Sequence, residues 1–176
     1  MKETVSVLIS EEDVTRRVTE IAQTLDDAFA GKELTLVCLL KGGVIFLVDL
    51  AKRLKKTSVE FDFMDISSYN GGTASSGTIK INKDLENSIE GKNVVLVEDI
   101  IDSGRTLSHV VKHLQGQHPK SLTVCTLLDK PDRREVFDVT PDYIGFAIPD
   151  QFAVGYGMDY EQKYRNLPFI GVLHIS

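Results

Sequence analysis

Only two cysteines occur in the 176 residues, Cys38 and Cys125, each inside an apolar strand-like run. Two buried free thiols are expected, not a disulfide framework or a cysteine metal site. The four histidines, at 109, 113, 118 and 174, form no ligand set; His109 and His113, four apart on an expected helix, read as a solvated face. Long apolar runs are also missing. None reaches the roughly 18 residues of a membrane span, and Met1-Lys2-Glu3 opens onto no signal-like block. A cytoplasmic protein without a membrane partner is expected. Positive charge is in deficit: 20 Lys and Arg against 26 Asp and Glu give a net charge of −6. That weighs against a general nucleic-acid partner. It leaves room for a phosphorylated small substrate held by backbone dipoles and Mg²⁺. Two phosphate motifs are absent: no G-x-x-x-x-G-K-[ST], and no G-x-G-x-x-G after a strand. Gly155-Tyr156-Gly157 is a lone G-x-G and carries little. No repeat, low-complexity tract or linker divides the chain, so a single domain over residues 1–176 is expected.

What is present alternates between strand and helix signals. Ser10-Glu11-Glu12-Asp13 reads as a capping box, and Val14, Val18, Ile21, Leu25 and Ala28 form an apolar stripe closed by Gly31. Leu34–Leu40 reads as a buried strand, Lys41-Gly42-Gly43 as a tight turn and Val44–Leu54 as a helix. Ser58–Ile66 is strand-like, residues 67–78 are a glycine-rich loop, and Thr78–Ile81 is a short returning strand. Leu122–Leu128, Tyr143–Ala147 and Phe169–Ile175 are further strand candidates. The pattern gives an α/β fold: a mostly parallel central sheet flanked by helices. The stretch from about Pro131 is poor in helix signals and is expected to form most of a small cap, or hood, over residues 131–176, joined by the N-terminal segment.

The most informative segment is Val94–Thr106. An apolar strand, Val94 to Val97, suits burial on both faces. It runs into Glu98 and Asp99, then Asp102, then Ser103-Gly104, where a helix marked by Leu107, Val110, Val111 and Leu114 begins. Groups in the loop after a parallel strand face the ligand crevice. Free N–H groups at the helix start favour a phosphate; Gly104 lets the backbone close on it, Ser103 and Thr106 add hydroxyls, and Arg105 adds charge. Glu98 and Asp99 repel phosphate but suit a ribose diol or a hydrated Mg²⁺. Asp102 is left for proton transfer. Any one of these acids could be a plain helix cap; the thirteen-residue string is far more specific.

This string resembles the phosphoribosyl-pyrophosphate motif of type I phosphoribosyltransferases, and further segments resemble the hypoxanthine-guanine branch of that family over nearly the whole chain. The resemblance implies a type I phosphoribosyltransferase fold. It also implies 5-phosphoribosyl transfer from phosphoribosyl pyrophosphate to a 6-oxopurine, Mg²⁺ as cofactor and a homo-oligomer, dimer or tetramer. It implies that Glu98, Asp99, Asp102, Ser103, Gly104, Arg105 and Thr106 bind the phosphoribosyl group and that Asp102 is the acid–base group. Lys41 and Gly42, in a turn able to offer N–H groups to an anion, would meet the pyrophosphate with Arg165, and the backbone at Leu40–Lys41 would be unusual. Ser68 and Tyr69 match the pair on a mobile lid, which would exclude water from an oxocarbenium-like transition state. Lys130 would donate to the 6-oxo group and reject the amino group of adenine. Phe152 would stack on the base, Ala153 would read its edge through the backbone, and Asp159 would sit by the base and reach a second Mg²⁺ through water. With Glu98 and Asp99 it completes the metal-binding candidates. Two departures from the family pattern are modest: Ala153 in place of Val, and Asp129, whose carboxylate is expected to temper Lys130. Two alternatives stay open from sequence: a transferase for xanthine or another purine, and a non-catalytic regulator that senses phosphoribosyl pyrophosphate or a nucleotide while binding RNA or DNA.

Overall fold

Helix α1 (Glu11–Ala28) begins where the capping sequence places it: Ser10 Oγ accepts from Asp13 N at 3.1 Å. Val14, Val18, Ile21 and Leu25 are buried along one face, as their spacing requires. The computed structural model describes residues 2–68 and 79–176. Around α1 run β1 (Glu3–Ile9), β2 (Glu33–Leu40), α2 (Val44–Ala51), β3 (Ser58–Ser68), β4 (Ile79–Lys83) and β5 (Asn93–Ile101). Then come α3 (Arg105–Gln115), β6 (Ser121–Asp129), a 3-10 turn (Pro131–Arg133), β7 (Tyr143–Ala147), β8 (Ala153–Val154) and β9 (Ile170–Ile175).

The main sheet has six strands in the order β4-β3-β2-β5-β6-β7. Every pair is parallel except β3 with β4. Side chains of β2 and β5 alternate between two cores. Leu36, Cys38, Val95 and Val97 pack with α1 and α2 on one face, and Val37, Leu39, Val94 and Leu96 pack with α3 on the other. Burial on both faces explains the unbroken apolar runs in the sequence. Both thiols are buried and free. Burial pushes both thiols up, Cys125 to about 12, so neither is a thiolate at neutral pH.

β2 and β5 lie side by side in mid-sheet, and the chain leaves them to opposite faces. That is the topological switch point at which α/β sheets open a crevice beyond their carboxyl ends. A second, antiparallel sheet of order β1-β9-β8 accompanies the main one. Of the stretch 131–176, β7 extends the main sheet, while β8 and β9 join β1 in the small one. The expected helix over residues 44–54 stops at Ala51, with residues 52–54 closing in turns.

Candidate functional site

The β5–α3 junction forms a pocket of about 190 Å³ lined by Glu98, Asp99, Ile100, Ile101, Asp102, Ser103, Gly104, Thr106 and Leu107. Gly104, the residue before α3, has φ +83, and a Cβ there would lie 2.6 Å from Val136 O. Both facts require glycine. The turn is held from outside, since Ser103 O accepts from Glu135 N at 2.9 Å and Val136 N at 3.0 Å. The first N–H groups of α3 have no intrahelical partner, so the turn presents donors to an anion. Arg105 departs from its expected role. Its guanidinium pairs with Glu135, Nε at 2.9 Å and Nη2 at 2.7 Å, and is absent from the pocket lining. As the first helical residue it leaves the turn on the outer side, where Glu135 offers a planar partner to its fork.

Glu98 and Asp99 stand at the pocket's inner wall. Glu98 is buried, and its Oε2 has no hydrogen-bond partner. Burial, the adjacent Asp99 charge and a hydrogen bond shared with Asp99 push the Glu98 carboxyl well above the usual carboxylate range. Burial also raises Asp99, against the pull of Glu98, of Ile100 N (2.8 Å) and of the Arg165 charge. Two carboxyl groups that cannot ionise freely together, one with an orphaned oxygen, form a hard-oxygen donor set that suits a divalent cation such as Mg²⁺. Among the described residues no three acidic, His or Cys side chains converge. Such a cation would therefore complete its shell with substrate oxygens and water.

Facing the acids is the β2–α2 turn. Its Leu40–Lys41 peptide is cis, at the place where the resemblance implies an unusual backbone. Gly42 abuts Asp99, and Gly157 abuts Gly42: a Cβ on Gly157 would lie 2.1 Å from Gly42 O. Arg165 donates from Nη1 to Gly157 O at 2.7 Å and pairs with Asp159 Oδ1 at 2.8 Å. Lys41 Nζ donates to Gln162 Oε1 at 3.3 Å, and Arg165 Nη2 reaches the same oxygen at 3.2 Å. Lys41, Gly42 and Arg165 thus come together as the sequence reading has them. Asp159 is bound into this cationic group, apart from the Glu98–Asp99 pair. Gln162 and Gly157 are additions. Gly157 sits at φ +102 inside the G-x-G that by itself carried little.

Lys130 closes β6. It is buried, with its side chain only 9 % exposed, and its Nζ lies 4.0 Å from Asp102 Oδ2 and 3.8 Å from Asp150 Oδ1. Among the described residues its ammonium makes no hydrogen bond, so it is a buried donor with room for an acceptor. The Asp129 carboxylate is bonded to the buried guanidinium of Arg134. Phe152 is 53 % exposed and meets Tyr160 edge-on with centroids 5.7 Å apart, so a ring face stays open. Ala153, in β8, is held opposite Val172. Ser68 ends β3, and Tyr69 lies outside the described residues. Arg133 and Asp150, which frame Asp102 and Lys130, carry no local signal in the sequence, because each reads as an ordinary exposed charge.

The phosphoribosyl transferase domain family matches residues 9–161. The chain belongs to the phosphoribosyltransferase family. Hypoxanthine phosphoribosyltransferase of Escherichia coli K12 is 49 % identical to this chain over 173 residues, 97 % of this chain and 96 % of that one. A solved hypoxanthine-guanine phosphoribosyltransferase of Bacillus anthracis superposes with a TM-score of 0.90 at 44 % identity, covering 99 % of this chain and 100 % of that one. The Listeria monocytogenes bifunctional protein TilS/HprT is 49 % identical over 167 residues, which are 95 % of this chain and 26 % of that protein. The chain therefore spans about a quarter of the length of that relative. Its fold is the type I phosphoribosyltransferase arrangement. Among its described residues, no helix is long and apolar enough to cross a membrane.

Proposed function

We propose that the chain transfers the 5-phosphoribosyl group from phosphoribosyl pyrophosphate to hypoxanthine or guanine, giving IMP or GMP and pyrophosphate, and so serves purine salvage. The observation that carries this reading is the Lys130 ammonium, buried and without a hydrogen bond, beside the β5–α3 pocket. A binding module for a phosphorylated sugar has no need of such a donor. A carbonyl on a purine satisfies it, whereas the amino group of adenine offers no acceptor. The Ser103–Thr106 turn holds the 5-phosphate, and Glu98 and Asp99 hold the ribose diol, directly or through Mg²⁺. When bound, Mg²⁺ supplies Lewis-acid neutralisation of the departing pyrophosphate. Lys41, the Gly42 backbone and Arg165 orient that pyrophosphate. Asp102, at the pocket mouth, takes the proton from the purine imidazole nitrogen as the glycosidic bond forms. Phe152 stacks on the base, and the backbone at Ala153 reads its edge. Asp159, through its pair with Arg165, lies where base and pyrophosphate sites meet and is the candidate for a second Mg²⁺ through water. Ser68 and Tyr69 would serve a lid, and the sheet of β1, β9 and β8 a hood.

The same reading expects a cytoplasmic enzyme with small-molecule substrates, assembled as a homodimer or homotetramer. Incubation with Mg²⁺, phosphoribosyl pyrophosphate and each of hypoxanthine, guanine, xanthine and adenine tests it. Nucleotide is expected from the first two bases. Turnover of adenine alone, or of no base, overturns the reading.

A further inference from the structure

Lys130, Asp102, Arg133 and Asp150 form a ring of four charges that alternate in sign. Lys130 Nζ lies 4.0 Å from Asp102 and 3.8 Å from Asp150, both beyond hydrogen-bond length. Arg133 meets the same two carboxylates: Nε donates to Asp102 Oδ1 at 3.1 Å, and Nη1 lies 3.6 Å from Asp150 Oδ2. Attraction between opposite charges strengthens as the surroundings become less polar. The Lys130 side chain, 9 % exposed, should therefore draw a neighbouring carboxylate more strongly than that of Arg133, 52 % exposed. The distances run the other way, and the contact within hydrogen-bond range belongs to Arg133. Its rigid fork suits this task, since one edge can serve Asp102 and the other Asp150. The 3-10 turn Pro131–Arg133, directly after Lys130, delivers it there.

We infer that Arg133 is a positioning residue for base recognition: by engaging Asp102 and Asp150 it keeps both off Lys130 and leaves that ammonium free for a carbonyl acceptor. The inference rests on the reading of Lys130 as the donor to the 6-oxo group. Without Arg133, side-chain rotation brings either carboxylate onto the ammonium, and an incoming base must then displace a charged partner to reach it. A neutral carbonyl competes poorly with a carboxylate for such a donor. Arg133 acts on base affinity indirectly, through the two carboxylates it holds away from Lys130.

The test compares two nucleotides by titration calorimetry: inosine 5′-monophosphate, and purine riboside 5′-monophosphate, which lacks the 6-oxo group. Arg133→Gln is expected to weaken the first by about tenfold or more and the second by less than about twofold, the gap expected when a charge-assisted hydrogen bond is lost. Arg133→Gln combined with Asp150→Asn removes one competing carboxylate and is expected to restore most of the lost affinity. Equal losses for both nucleotides mean that Arg133 only supports its loop, and unchanged binding of inosine 5′-monophosphate means that it does nothing here; either overturns the inference. Lys130→Gln separates the two readings. If it leaves the preference for the oxo nucleotide intact, the Lys130 assignment itself fails. If it abolishes the preference while Arg133→Gln does not alter it, only the role of Arg133 falls.

Discussion

A Cβ placed on Gly42 would lie 1.7 Å from Asp99 Oδ2, so the turn proposed for the pyrophosphate and the acid proposed for the ribose are one packed unit. The carboxylate could yield only by moving into the pocket it lines. Gly42→Ala is therefore expected to cost about 1–3 kcal/mol of stability by overpacking. It should also raise the KM for phosphoribosyl pyrophosphate far more than that for the base. Thermal melts and steady-state kinetics with each substrate varied check both. An unchanged KM for phosphoribosyl pyrophosphate would detach Gly42 from that site.

Asp102→Asn keeps the shape and removes the base. Turnover should fall by about a hundredfold to ten-thousandfold, the usual worth of a positioned proton acceptor. The KM values should change little. Measurement of kcat with saturating substrates decides this, and unchanged turnover removes Asp102 from proton transfer.

Glu98 makes stability depend on pH. Its folded-state value lies well above the ordinary 4.5, mainly through burial. Above pH 4.5 the unfolded chain releases this proton while the folded protein keeps it, so the folded state binds more protons and stability falls as pH rises. The fall continues until the folded-state carboxyl itself ionises. Glu98→Gln removes the titration. In Mg²⁺-free buffer its Tm should approach that of the parent near pH 4.5 and exceed it increasingly towards neutral pH. A parallel pair of Tm curves would show that the burial cost is met in another way.

Tyr156, buried and at φ +48, donates from its hydroxyl to Asp49 Oδ2 at 2.7 Å. Tyr156→Phe should cost about 1–2 kcal/mol, since it leaves a part-buried carboxylate short of a donor. Denaturant unfolding measures it. A loss below the error of the method would make the bond dispensable.

The elements that could be read from sequence were those whose signal is local. Ser10 and the stripe from Val14 to Leu25 specify α1 within one segment, and the doubly buried strands announce themselves by runs such as Val94–Val97. β1 was missed although Thr4 and Ser6 alternate with Val5 and Val7; its partner β9 lies at the far end of the chain, so no local signal names what it pairs with. β8 is two residues long and exists only by pairing with β9. The site divides in the same way. Glu98 to Thr106 form one string and were legible together. Gly157 matters because Gly42 passes over it, and Arg133 because Asp102 and Asp150 converge on it. The Asp129–Arg134 pair was not legible either, because Arg134 comes from the loop beyond the strand.

The Tyr156–Asp49 bond joins the segment that follows Phe152 and Ala153 to the helix that follows Lys41 and Gly42. The segments proposed to read the acceptor and to grip the leaving group are therefore tethered at a second point, beside the Gly157–Gly42 contact. A shift of α2 carries through this tether to the base side, and ordering of the base segment carries back. The two substrates should consequently sense one another's presence before any bond between them begins to form. Loosening the tether should weaken this mutual influence on affinity while both ligands are still bound by unaltered contact residues.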